Sequence, residues 1–321
     1  MHSLERLEEA AELVHRHVTP TPQHCWPLLC ERAGTEVWAK HENHTPIGAF
    51  KLRGGLTYMA ELLQREPRVP GVITATRGNH GQSIGFAARA LGLRAVILVP
   101  RGNSVEKNAA MRALGVELIE HGSDFQEAAE AADAMAAEQG LHFIRSFHSD
   151  LVLGVASYAL ELFRAEDDLD TVFVPIGMGS GICSVIAARD ALGLTTKVVG
   201  VVAENAPMYA LSFKRKQAVS TNTADTFADG LACRIPDPQA LEIILKGAED
   251  VITVSESEIE AAMRAYYTDS HNLVEGAGAA PLAALLKQKD KMAGKKVAVV
   301  VSGGNIDRAL YLRILGAAGP N

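Results

Sequence analysis

Lys51 sits in the stretch KHENHTPIGAFKLRGG, in which His, Asn, Thr, Pro and Gly crowd the approach and Phe50 immediately precedes the lysine. A lysine between such a loop and a helix start is a candidate Schiff-base former, because burial lowers the ammonium pKa and frees the amine as a nucleophile. Taken alone, the ordinary fate of a lysine, a solvated surface position, is the stronger reading.

Three more segments carry possible chemistry. TATRGNHGQ, Thr74 to Gln82, lies between a strand pattern and a helix pattern. Its backbone N–H groups and the helix start can hold an anion such as a carboxylate. Asn79 adds a side-chain donor, and Thr76, Arg77, Gly78 and His80 of the same turn are candidate substrate contacts. A plain Gly/Asn turn is equally common without a ligand. PIGMGSG, Pro175 to Gly181, also follows an apolar strand and opens a helix, and its glycines let the backbone approach a phosphate. The spacing is GxGxG, past the middle of the chain, with no acidic residue ending the next strand, which favours a smaller cofactor over a dinucleotide. VSGGNID, Val301 to Asp307, ends the last strong strand, where an α/β sheet presents ligands from its carboxyl edge; a tight turn accounts for it equally.

The elements that must position these turns alternate regularly. VITAT precedes QSIGFAARAL, RAVILV precedes SVEKNAAMRAL, and TVFVPI precedes ICSVIAARDAL. Short β-rich runs followed by Ala/Leu-rich amphipathic stretches predict an α/β chain of mostly parallel sheet covered by helices. KVVGVV follows, then VITV with SESEIEAAMRAYY, where Ser255 and Glu258 have capping-box spacing, and KKVAVVV before a helix expected near Asn305. Lys214 to Asp229 reads as an irregular connection, either on the surface or beside a site.

Composition removes several classes. A net charge of -7 from 38 acidic and 31 basic residues, with no basic block, excludes a phosphate-backbone tracker, so no nucleic-acid partner is expected. No apolar run approaches a membrane span. Cys25, Cys30, Cys183 and Cys233 form no CxxC pair or zinc spacing, which fits a reducing compartment and a cytoplasmic protein.

Together, GAFKLRGG, GNHGQ, GMGSG and SGGN, in this order over nearly the full chain, resemble the fold-type II pyridoxal-phosphate enzymes, within them the threonine/serine dehydratase and serine racemase group. The resemblance implies a tryptophan synthase β-like fold of two open, twisted, mostly parallel sheets covered by helices. Residues 1–71 and 148–321 would form a large cofactor domain, and 72–147 a small mobile one. Pyridoxal 5'-phosphate would sit on Lys51, which would also shuttle the Cα proton. Phe50 would pack near the ring, Asn79 would bond the 3'-oxygen, and Ser302 would face the pyridine nitrogen. Gly177, Met178, Gly179, Ser180 and Gly181 would cradle the phosphate through main-chain amides. Glu275 matches a glutamate near the cofactor, although a carboxylate favoured by a helix start explains it equally. The implied reaction converts a 3-hydroxy amino acid (threonine or serine, 3-phenylserine, or threo-3-hydroxyaspartate) to a 2-oxo acid and ammonia; amino acid racemisation is the alternative. A homodimer is implied as well.

Some positions depart from the family pattern. Where the racemases place a second base, a serine, this chain has Arg77, a poor proton donor and acceptor, which disfavours racemisation. Arg77 is expected either to contact the substrate or to face outward onto a surface carboxylate. At the cation site of many relatives Glu204 is kept and Met208 could offer its carbonyl, but Ala210 stands where an Asp is expected, so no metal is expected. His41, His44 and His80 lack metal-ligand spacing and are expected as loop histidines near a ligand pocket. With the chain ending soon after the SGGN strand and its helix, a regulatory domain is not expected, and a catabolic role is.

Overall fold

A computed structural model describes residues 2–317. Its strands are β1 (Gln23–Cys25), β2 (Glu36–His41), β3 (Val72–Ala75), β4 (Ala95–Val99), β5 (Glu117–Glu120), β6 (His142–Phe143), β7 (Thr171–Pro175), β8 (Lys197–Ala203), β9 (Asp250–Val254) and β10 (Lys296–Val301). They form a six-stranded sheet in the order β1-β2-β10-β7-β8-β9 and a four-stranded sheet in the order β5-β4-β3-β6. Only the β1–β2 pair is antiparallel.

Parallel strands covered on both faces must be apolar throughout. The central strands obey this: β3, β4 and β7 are buried at every position. Val299 of β10 pairs with Ala39 on one side and Phe173 on the other. The turns after β3, β7 and β10 therefore all leave from carboxyl edges, where open α/β sheets bind ligands.

The helix Lys51–Arg65 joins the two sheets. Its Leu52, Leu56, Met59 and Leu62 share a core with Val72, Ile84 and Ala87 of the four-stranded half. On another face, Gly54 lets it lie against the helix Ser149–Ala165, since a Cβ there would stand 2.7 Å from the Leu151 carbonyl oxygen. Two residues beyond Lys51, the fully buried Arg53 guanidinium binds Glu42 at 2.7 Å and Glu161 at 2.6 Å. Lys40 also meets Glu161 at 2.6 Å, so the end of β2 and two helices are tied together under the start of the lysine-bearing helix. A buried cluster of this kind is costly to break, because removing one partner strands a desolvated charge.

Local differences from expectation have local causes. The last helix begins at Arg308, because residues 302–307 are spent on a turn. Lys214 and Arg215 complete the helix Met208–Arg215, and the irregular segment starts after Lys216, which ends that helix at φ 55°. The capping box of Ser255 and Glu258 is formed. Among the described residues, no helix is long and apolar enough to cross a membrane.

Candidate active site

The loop before Lys51 is laced to the turn after β10. Phe50 N donates to the Ser302 carbonyl at 3.0 Å, Gly304 N donates to the Gly48 carbonyl at 2.9 Å, and Ala49 bridges Gly303. Lys51 then opens its helix, with Nζ 3.3 Å from Ser180 Oγ. Burial pushes its pKa down to about 8, against the upward pull of Cys233 and Glu275. Phe50 packs edge-on to Tyr158 at 6.2 Å between ring centroids and also lies against Gly181.

Lys51 faces a pocket of about 130 Å³. Phe50, the turn Thr76, Arg77, Gly78, Asn79 and His80, the turn Gly177, Met178, Gly179, Ser180 and Gly181, and Glu275 and Ser302 all line it. The structure thus brings every site residue read from the sequence to one cavity. Their individual roles are a separate question.

The glycine turn is a cradle in which side chains do not fit. Gly179 sits at φ 106°, and a Cβ there would lie 2.7 Å from that of Ala240. At Gly177 a Cβ would collide with the Gly230 carbonyl oxygen. From outside, Tyr209 donates to the Met178 carbonyl at 3.0 Å and fixes the turn ahead of the helix Ser180–Ala191. A Gly-lined turn leading into a helix N-terminus suits a phosphate.

The turn after β3 is set by Thr76, whose hydroxyl accepts from Gly78 N at 2.9 Å and Gly81 N at 3.3 Å. Gly78 is extended, and what it supplies is room: a Cβ would meet Lys107 Cδ at 2.7 Å. Asn79 donates through Nδ2 to Glu275 Oε1 at 2.7 Å and accepts from Asn305 at 2.9 Å. One amide N–H of Asn79 therefore remains for a ligand. His80 is buried and its imidazole neutral, with a pKa pushed down to about 3 by burial and by Lys51. His80 Nε2 has no partner among the described residues.

Glu275 precedes the helix Gly276–Lys287 but makes no capping bond. It still opens that helix, where the N-terminal dipole favours a carboxylate, and its side chain accepts from Asn79 as well. Burial pushes its pKa up to about 7, while Lys107, Asn79 and Lys51 pull it down and Asp229 adds to the rise. Arg77 is half-buried and has no salt bridge to a carboxylate among the described residues. The outward-paired alternative is not what this fold adopts. Arg77 stands where the pocket meets an adjoining cavity of about 390 Å³, whose walls include Phe125, Met178 and Ala232.

Sequence reasoning passed over Lys107, Asp229 and Cys233, which also line the pocket. Lys107 and Asp229 form an ion pair at 2.7 Å. A lone lysine in an amphipathic helix gives no signal of burial. Asp229 does close the irregular segment, Lys214 to Asp229, that was open to a place beside a site, and the adjoining Gly230 lines the pocket too. Of the three histidines, only His80 lines the pocket; His41 and His44 stack on each other at 5.0 Å next to Trp26. Glu204 is exposed, and the described residues contain no group of three or more His, Cys, Asp or Glu suited to a metal ion.

A family profile described as pyridoxal-phosphate dependent enzyme matches residues 14–303. An L-threonine ammonia-lyase of Thermotoga maritima is 35% identical over 316 residues, 98% of this chain and 78% of the relative. An L-threo-3-hydroxyaspartate ammonia-lyase of Saccharomyces cerevisiae is 30% identical over 308 residues, 96% of this chain and 94% of the relative. The solved structure of maize serine racemase superimposes with a TM-score of 0.91 at 26% identity, covering 97% of this chain and 96% of that one.

Proposed function

The chain belongs to the family of pyridoxal-phosphate-dependent enzymes, and from that premise we propose that it is an ammonia-lyase converting a 3-hydroxy amino acid to a 2-oxo acid and ammonia. The observation that carries this reading is the contrast between the two lysines on the pocket wall. Lys51 is held near neutrality by burial, whereas Glu275 and Asp229 outweigh burial and raise the pKa of Lys107. Lys51 Nζ is thus the amine that can be free at working pH, both to carry the cofactor and to take up a proton.

The pocket suits the cofactor on its own terms. The glycine-rich turn Gly177–Gly181 and the helix behind it fit the phosphate, Phe50 offers an apolar face, and Ser302 and Asn79 offer neutral hydrogen-bonding groups. Pyridoxal phosphate, when bound, supplies an electron sink that acidifies the Cα proton and allows the β-hydroxyl to leave. Lys51 Nζ takes the Cα proton, and Ser180 Oγ holds that amine in place. The N-terminus of the helix Asn79–Ala90, with Thr76 bracing its turn, receives the substrate carboxylate. Loss of water followed by hydrolysis of the resulting enamine, in its imine form, gives the 2-oxo acid and ammonia.

Arg77 supports elimination over racemisation. A guanidinium stays protonated at any working pH and so does not serve as a second base for Cα. The same kinship supports a homodimeric cytoplasmic enzyme in which the four-stranded half, within 72–147, moves against the remainder.

Incubation of the cofactor-loaded protein with stereochemically defined serine, threonine, 3-hydroxyaspartate and 3-phenylserine tests the reading. Equimolar 2-oxo acid and ammonia from one stereoisomer is the expected result. Formation of an enantiomer with no ammonia would overturn it in favour of a racemase.

A further inference from the structure

Nothing in the loss of water and ammonia needs the cavity of about 390 Å³ that adjoins the Lys51 pocket. The two spaces share the walls Arg77, Phe125, Met178, Ala232 and Cys233, so one opens into the other. Beyond these residues the wall continues through the buried Pro236 to Ile235, which is 57% exposed at the rim. Three further charged side chains line the cavity, and each is engaged by backbone. Asp124 Oδ1 accepts from Glu127 N at 2.9 Å at the start of the helix Phe125–Gln139. Asp237 Oδ1 accepts from Gln239 N at 2.9 Å and Ala240 N at 3.1 Å at the start of the helix Pro238–Gly247. Arg234 donates to the Asn222 carbonyl at 3.1 Å. The cavity therefore offers an apolar wall and one guanidinium, that of Arg77, which has no carboxylate partner among the described residues.

We infer that this cavity is the subsite for the substrate's side chain and that it selects an aryl group on C3, so that 3-aryl-3-hydroxy amino acids of the 3-phenylserine type are the preferred substrate class. The inference rests on the ammonia-lyase reading of the Lys51 pocket and names the substrate within it. A dry cavity of about 150 Å³ is enough for a benzene ring. The Lys51 pocket, at about 130 Å³, has to take the cofactor and leaves no room for a ring as well. The adjoining cavity has that room, and the hydrogen of serine or the methyl of threonine would not reach into it. The side-chain carboxylate of 3-hydroxyaspartate would pair with Arg77 at the junction but leave the apolar wall beyond it facing water. An alkyl chain would cover that wall but strip water from the guanidinium without replacing it. An aryl ring meets both demands: it packs against Phe125 and the Met178 thioether, and its face accepts the guanidinium of Arg77.

The cofactor-loaded protein is assayed for kcat and KM with each stereoisomer of 3-phenylserine and with serine, threonine and 3-hydroxyaspartate. One 3-phenylserine stereoisomer should exceed the other compounds in kcat/KM by about tenfold to a hundredfold, the factor that burial of one ring corresponds to. Phenylalanine, which lacks the leaving hydroxyl, should bind more tightly than alanine by a similar factor, read from the absorbance of the bound cofactor without turnover. Two variants locate the ring: Ala232→Phe fills the junction of the two spaces, and Ile235→Asp sets a charge on the apolar rim. Each should lower the ratio of kcat/KM for 3-phenylserine to that for serine, by about tenfold or more in Ala232→Phe and by less in Ile235→Asp. A general folding defect lowers both substrates alike and leaves the ratio where it was. Preference for serine, threonine or 3-hydroxyaspartate over every 3-phenylserine stereoisomer, or an unchanged ratio in the folded variants, would overturn the inference. Should Ala232→Phe not fold, Ile235→Asp decides alone. If no compound yields 2-oxo acid and ammonia while phenylalanine still binds more tightly than alanine, the ammonia-lyase reading fails and the subsite stands. If phenylalanine has no advantage either, both fail.

Discussion

Asn79 donates to Glu275 at 2.7 Å inside the pocket, and the two residues are 196 positions apart in the chain. The bond holds a carboxyl whose burial raises its pKa to about 7. A carboxyl with a raised folded pKa binds more protons folded than unfolded, so stability falls as pH rises from the unfolded value near 4.5 through the folded one. The shift corresponds to about 3 kcal/mol at most. Glu275→Gln should therefore be more stable than wild type at pH 8, with the gap closing below about pH 4.5. Urea unfolding of the two proteins at pH 4 and pH 8 measures it, and equal gaps at both would contradict the assignment.

The glycine turn should be intolerant of the smallest side chain. At Gly179 an alanine meets both φ 106° and the Ala240 Cβ at 2.7 Å, and strain of this kind costs on the order of 1–3 kcal/mol. Gly179→Ala should weaken pyridoxal-phosphate binding by about twofold to tenfold if half of that cost falls on the bound state. Fluorescence titration of the two proteins with the cofactor reads the change; unchanged affinity would remove the turn from the site.

The frame of the molecule was legible wherever burial on both faces demands continuous apolar runs, as in β3, β4, β7, β8 and β10. β1 and β6 have three and two residues, too short to leave a period, and the four of β5 are exposed or half-buried, so they form no apolar run. The β2 sequence EVWAKH ends in Lys40 and His41, polar residues buried here through contacts far along the chain, to Glu161 and Trp26. The site was legible where it is made of turns, since glycines and Asn79 mark the backbone shapes directly. Lys107 was not, because its place in the pocket depends on Asp229 arriving from 122 residues away, and no local pattern records that. Asn79 was read as a ligand donor, and its contact with Glu275 was invisible for the same reason.

The ion cluster under Lys51 should contribute to both stability and placement of the amine. Arg53 is fully buried between Glu42 and Glu161, at 2.7 and 2.6 Å. Arg53→Met leaves two buried carboxylates: Glu161 keeps Lys40 at 2.6 Å, the partly exposed His15 at 2.8 Å and the Thr21 amide at 3.2 Å, while Glu42 loses its counter-charge and keeps the Thr21 hydroxyl at 2.6 Å. A loss of about 3–5 kcal/mol is expected. The denaturant midpoint should fall accordingly. Because Arg53 lies on the turn of helix that Lys51 begins, cofactor linkage to Lys51 should slow as well. A normal midpoint would mean that the cluster relaxes at no cost.

Arg77 offers the sharpest test of reaction class. It stands at the junction of the pocket and the cavity of about 390 Å³ beside it, without a carboxylate partner among the described residues. A substrate carboxylate or side chain entering from that cavity would meet the guanidinium, a group that binds anions but does not exchange a proton with Cα. Arg77→Ser removes the binding group and installs a hydroxyl that can donate and accept. Two changes should follow together. Specificity among serine, threonine, 3-hydroxyaspartate and 3-phenylserine should shift by about tenfold or more, the size of one lost charge-assisted hydrogen bond. Enantiomer of the substrate should also become detectable beside the 2-oxo acid. Chiral chromatography with ammonia release, run on both proteins, reads both effects. A variant with unchanged specificity would show that Arg77 touches no substrate. A variant whose specificity changes while no enantiomer forms would show that the hydroxyl does not reach Cα, and the preference for elimination would then have to lie elsewhere in the pocket.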